Sequence, residues 1–75
     1  MPNVDKIIDK MHNQPNSIRT EEADKVLKAF GYDLARQKGS HRQYVNPATG
    51  DVITIKQDST LKKVYVIDIL RRIQR

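Results

Sequence analysis

Apolar residues recur along this chain in two different rhythms. In "VDKIIDKMH" the residues Val4, Ile7, Ile8 and Met11 stand at i, i+3, i+4 and i+7, the spacing of one apolar helix face. "NQPNS" ends that helix, because Pro15 cannot continue the hydrogen-bond ladder and biases Gln14 away from helical angles. The same spacing returns with Ala23, Val26, Leu27 and Phe30. Thr20 is the expected cap of this second helix, Glu21 and Glu22 suit the positive end of its dipole, and Gly31 is its natural stop.

From Tyr32 the period shortens. "YDLARQK", "RQYVN" and "DVITIK" are short segments with β-branched or aromatic residues, separated by "GS" and "PATG", and they predict a three-stranded antiparallel meander. Alternation is clearest in the third, where Ile53 and Ile55 point one way and Val52, Thr54 and Lys56 the other. If Tyr44 joins the isoleucines in the core, His41 and Gln43 lie on the opposite, open face, with Thr54 and Lys56 as neighbours. After the polar "QDST", Val66, Ile69, Leu70 and Ile73 form the stripe of a closing helix whose last turn carries Arg71 and Arg72. The expected order is α-α-β-β-β-α, an α+β fold with one three-stranded sheet packed on helices. Residues 1–75 are expected to form one small domain, with 1–16 as an amino-terminal helix and turn and 17–75 as the core.

Charge sharpens this picture. Residues 1–35 hold five Lys or Arg against six Asp or Glu, whereas residues 36–75 hold nine against three, so the whole +5 excess sits in the second half. A positive field concentrated in this way favours polyanions through counterion release, although a solubilising surface has the same composition. Absence of cysteine excludes a disulfide framework and a thiolate zinc site, and a reducing cytoplasm is the expected location. The longest apolar run, "VYVI" at 64–67, is too short to span a bilayer, and neither a membrane partner nor a metal or other cofactor is expected.

The segment "KGSHRQ" at 38–43 gathers the candidate chemistry. The imidazole of His41 takes or gives a proton near neutral pH, Gly39 lets a backbone approach a ligand closely, and Lys38, Arg36 and Arg42 bring positive charge. Strand alternation does not allow all three of those cations to face the same way. In RNA the 2′-hydroxyl beside each phosphate is a built-in nucleophile, so a proton acceptor and a few cations suffice for strand cleavage. His41 is thus the candidate catalyst, with Lys38, Gly39, Ser40 and Lys56 as candidate contacts to the substrate backbone, although a histidine at the start of a strand is more often a surface residue. Each residue also has an ordinary reading: a surface histidine at His41, a turn former at Ser40 and a solvated pair at Lys62 and Lys63. Tyr44 reads as a core ring or a base-stacking one, and His12 as an exposed helix end or the second half of an acid/base pair. A non-catalytic RNA-binding module and a basic protein-interaction domain remain alternative functions.

Three stretches, "KVLKAFGY" at 25–32, "RQKGSHRQYVNPATGDVITI" at 36–55 and "LKKVYVIDILRRI" at 61–73, give the chain a resemblance to the HicA family of bacterial toxins over roughly residues 6–73. The resemblance implies a fold akin to double-stranded-RNA-binding domains, a messenger-RNA-cleaving toxin of a type II toxin–antitoxin pair, a catalytic histidine at His41, and a HicB-type antitoxin as partner. Many relatives carry a Pro, a further His or a Gly-rich stretch after the third strand. This chain has only "KQDST" there, which shortens the loop that leads to the last helix.

Overall fold

The structure, a computed structural model, describes residues 3–75; Met1 and Pro2 of the expected 1–75 domain lie outside the described residues. Helix α1 spans Val4–Asn13, α2 Thr20–Ala29 and α3 Lys63–Ile73, and strands β1 (Asp33–Lys38), β2 (His41–Val45) and β3 (Val52–Lys56) lie between α2 and α3. The expected α-α-β-β-β-α order is therefore observed. The three strands form one antiparallel sheet in the order β1-β2-β3.

One face of the sheet meets a layer of three helices. Tyr44, Ile53 and Ile55 project from β2 and β3 into a core shared with Ile7 and Met11 of α1, Val26 and Leu27 of α2, and Val66, Ile69 and Ile73 of α3. All the apolar stripe positions foreseen in α3 are buried, and Tyr44 is a core ring, fully enclosed. Phe30, the cap residue just past the end of α2 at Ala29, is only partly buried. There Gly31 takes φ +91°, a left-handed angle that lets the chain turn into β1 while Tyr32 N–H donates to the Leu27 carbonyl at 2.9 Å.

The start of α2 differs from expectation. Arg19 occupies the cap position, and its backbone N–H donates to Glu22 Oε1 at 3.0 Å. Thr20 is the first helical residue and is buried, its hydroxyl directed at the Asp58 carbonyl, 3.4 Å away. The short β3–α3 loop claims that hydroxyl: Leu61 N–H also donates to the Ile18 carbonyl at 2.7 Å, which fastens the loop to the α1–α2 connection. The last helix likewise begins earlier than expected, with Lys63 already inside it and Lys62 at the cap.

Polar anchors bind the layers together. Tyr44 donates its hydroxyl to Asp24 of α2, a carboxylate that also pairs with Lys28 at 3.0 Å and stands 3.8 Å from Arg42. At the other end of the sheet Tyr32 donates to Asp51, and Arg72 of α3 joins Asp51 at 2.6 Å, Asp68 at 3.1 Å and the Val52 carbonyl at 2.9 Å. Arg72 thereby fastens α3 beside β3.

Burial first, and then the carboxylate that accepts each hydroxyl, push both tyrosines up from 10.0 to about 12. A hydroxyl whose value rises on folding stabilises the fold fully below its unfolded value and loses that contribution as pH climbs through the folded one. The urea midpoint is accordingly expected to fall between about pH 10 and 12. Tyr44→Phe should flatten that fall, and an identical alkaline profile in the variant would show that Tyr44 is not responsible. Asp51 is held below its ordinary 3.8, first by the Tyr32 hydroxyl and then by Arg72, so its contribution is lost at the acid end instead.

Candidate functional site

The "GS" turn is built by backbone geometry. Lys38 pairs with His41 across a two-residue loop, and Gly39 at the first loop position has φ +58°, as a type II′ hairpin turn requires. A Cβ at residue 39 would meet nothing within 4 Å, so the glycine serves the angle and not the space. Ser40 is the exposed second turn residue, and its carbonyl accepts the Gln57 N–H, extending the β2–β3 ladder beyond His41.

This turn sets His41 at the start of the central strand, on the exposed face of the sheet. His41 lies opposite Lys38 on β1 and opposite Lys56 on β3, so the three residues form one row across the sheet. At ordinary strand spacing the row spans about 10 Å. Directly opposed residues in antiparallel strands point to the same side, which puts both lysines on the face of His41. The register places Arg36, Gln43 and Thr54 in a second row on the same face. Arg36, Lys38, His41, Gln43 and Thr54 line a depression of about 230 Å³.

Arg36 and Lys38 face this way because β1 is irregular. The pairing shifts between Leu34, opposite Tyr44, and Arg36, opposite Gln43. In a regular strand Leu34, Arg36 and Lys38 would share one face, and Leu34 shares the inner face with Tyr44. The bulge at Ala35 reverses the parity and turns both cations to the open side.

Arg42, the third cation near the turn, points inward, where it donates to Gln57 Oε1 at 3.3 Å and to the Tyr44 hydroxyl at 3.4 Å. It is a structural cation. Among the described residues the ion pairs join Glu22, Asp24, Asp51 and Asp68 to Lys10, Lys28, Arg42 and Arg72, and Arg36, Lys38 and Lys56 on the open face take part in none.

The structure thus brings together Lys38, Gly39, Ser40, His41 and Lys56, all exposed. It does not bring His12 to them. His12 is exposed at the end of α1, within the helical layer behind the sheet, where α1 packs on α2 and α3. Lys62 and Lys63 are exposed at the start of α3 and line no part of the His41 depression. Among the described residues no three His, Cys, Asp or Glu side chains cluster as they would to hold a metal ion, and no helix is long and apolar enough to cross a membrane.

An exposed histidine set between two unpaired lysines, on a strand entered through Gly-Ser, is the arrangement on which the comparison with known families bears. The family model of the HicA toxin of bacterial toxin–antitoxin pairs matches residues 20–74, well over half of the chain. The chain belongs to the HicA toxin family. The matched span takes in the second helix, the sheet and the closing helix, and so includes every residue of the His41 face. As a HicA toxin the chain is one half of a toxin–antitoxin pair, and an antitoxin is its partner. No curated protein and no solved structure matches the chain.

Proposed function

We propose that this HicA toxin is a metal-independent endoribonuclease acting on messenger RNA, with His41 as its proton-transfer group. The observation that carries the reading is the row Lys38–His41–Lys56, with the imidazole centred between two cations on an open face. Lys38 and Lys56 hold the phosphates on either side and offset the charge that develops at the attacked phosphorus, while the Gly39–Ser40 turn lets the RNA backbone come close. The 2′-oxygen attacks the adjacent phosphorus, the bond to the 5′-oxygen breaks, and the products carry a 2′,3′-cyclic phosphate and a 5′-hydroxyl. His41 takes the proton from the 2′-hydroxyl while water protonates the departing oxygen, or His41 protonates the departing oxygen while water takes the proton from the 2′-hydroxyl. The layout of helices behind one open sheet agrees with the kinship to double-stranded-RNA-binding domains that the sequence implies.

Cleavage should persist in EDTA, stop when the 2′-hydroxyl at the cut site is replaced by hydrogen, and leave cyclic-phosphate ends. Loss of activity in EDTA that magnesium restores, or cutting of the deoxy-substituted strand at the usual rate, would overturn this chemistry.

The antitoxin, on this reading, is of the HicB type and acts by covering the same face in the cytoplasm. The excess positive charge of residues 36–75 steers an acidic protein surface to the place where it would steer RNA. In a titration with uncut RNA and a His41→Ala chain, antitoxin should displace RNA, and its association should slow as salt rises. Simultaneous binding of both would rule out occlusion.

A further inference from the structure

The row Arg36–Gln43–Thr54 has no part in the proton transfer just described, yet it forms the rest of the depression beside His41. It lies two residues along β2 from the His41 row, about 7 Å away at ordinary strand rise, so a nucleotide whose phosphate lies over His41 can set its base over Gln43. Gln43 sits on the central strand and is half-buried, unlike the exposed lysines around it. The glutamines on the inner side are engaged: Gln37 Nε2 donates to Gln57 Oε1 at 3.2 Å, and Arg42 shares that oxygen. Among the described residues the Gln43 amide has no such partner, and it offers an N–H donor beside a carbonyl acceptor in a single plane.

We propose that this second row is a nucleobase subsite, in which Gln43 pairs with the N6/N7 edge of an adenine next to the cleaved phosphate and Arg36 holds the following phosphate. Adenine offers a donor beside an acceptor on that edge, the pattern a glutamine amide satisfies with two hydrogen bonds. Thr54 borders the base from β3 with its methyl and hydroxyl. The Ala35 bulge has a function here, since without it Arg36 would face inward and the subsite would lack its cation. This subsite rests on the RNA-cleavage reading for its ligand, and its test is independent of catalysis.

A randomised single-stranded RNA pool is bound to the His41→Ala chain, which leaves RNA uncut, and the bound molecules are sequenced. Adenine should be enriched at one position, roughly fivefold to a hundredfold for a bidentate pair. Adding Gln43→Ala should bring that enrichment near unity, and Gln43→Glu, which can only accept, should shift it toward cytosine through the N4 donor. Circular dichroism on each variant checks that the sheet is intact. Arg36→Ala should weaken all sequences alike and flatten the salt dependence. Enrichment that survives Gln43→Ala, enrichment of another base in the parent chain, loss of affinity without change in base preference, or no RNA binding at all would each overturn the subsite. Cleavage by the unsubstituted chain is scored separately: bound RNA with adenine enrichment but no cleavage removes the catalytic reading alone, and cleavage without enrichment removes the subsite alone.

Discussion

Replacing His41 by alanine is expected to lower the rate of RNA cleavage by about 10²–10⁴-fold, the usual contribution of a positioned acid or base. The fold should survive. His41 is exposed, it lies on the side of the sheet away from the core, and its removal opens no cavity, so stability should change by no more than about 0.5 kcal/mol. The two readouts must be taken together. Cleavage at the original rate by a folded variant would mean that a group other than His41 moves the proton, whereas unfolding would mean that the imidazole is structural. Lys38→Ala and Lys56→Ala give the contrasting signature: weaker RNA binding and a flatter salt dependence, with the chemical step retained in bound RNA.

The order of elements was legible because the apolar period changes from the helical stripes of Ile7, Ile8 and Met11 to the alternation of Ile53 and Ile55. That alternation also sufficed to place His41 and Gln43 opposite Tyr44, because β2 and β3 pair without irregularity. In β1 the same rule fails. "LARQK" contains no glycine or proline to mark a bulge at Ala35, and strict alternation would have put Arg36 and Lys38 on the face of Leu34. The cap of α2 was misread for a related reason: Thr-Glu-Glu has the composition of a helix start, but the Thr20 hydroxyl is taken by Asp58, which is distant in sequence. Nothing local to Asp24, Arg42 and Tyr44 announces that they will meet, nor does anything local to Tyr32, Asp51 and Arg72. Spacing reports local periodicity, and these are contacts between elements. At the candidate site alternation along β2 and β3 sufficed to set His41 beside Lys56 with Arg42 on the other face, while the outward turn of Arg36 and Lys38 required the fold.

Tyr44→Ala should abolish activity by a different route, because β2 carries the site on one face and the core on the other. Tyr44 is among the largest fully enclosed side chains in the protein, and it anchors the central strand to α2 through Asp24. Truncating an aromatic ring in a packed core costs about 3–5 kcal/mol. The whole domain is expected to hold only about 4–11 kcal/mol, from the usual stability per residue. The substitution also withdraws, without replacing it, the hydroxyl that donates to Asp24 and accepts from Arg42. The consequence is a domain at or near its unfolding threshold at 37 °C, with helix and sheet signals lost in one transition. Tyr44→Phe keeps the ring and loses only the hydroxyl, so it should retain the fold at a loss of about 1.5–3 kcal/mol, the usual range for a hydrogen bond to a charged group. Urea denaturation of the two variants beside the parent measures the difference. A Tyr44→Ala midpoint within experimental error of the parent would mean that the ring contributes nothing to the core. A midpoint near that of Tyr44→Phe would show instead that the Asp24 contact, and not the packing of the ring, holds β2 in the position from which it presents His41.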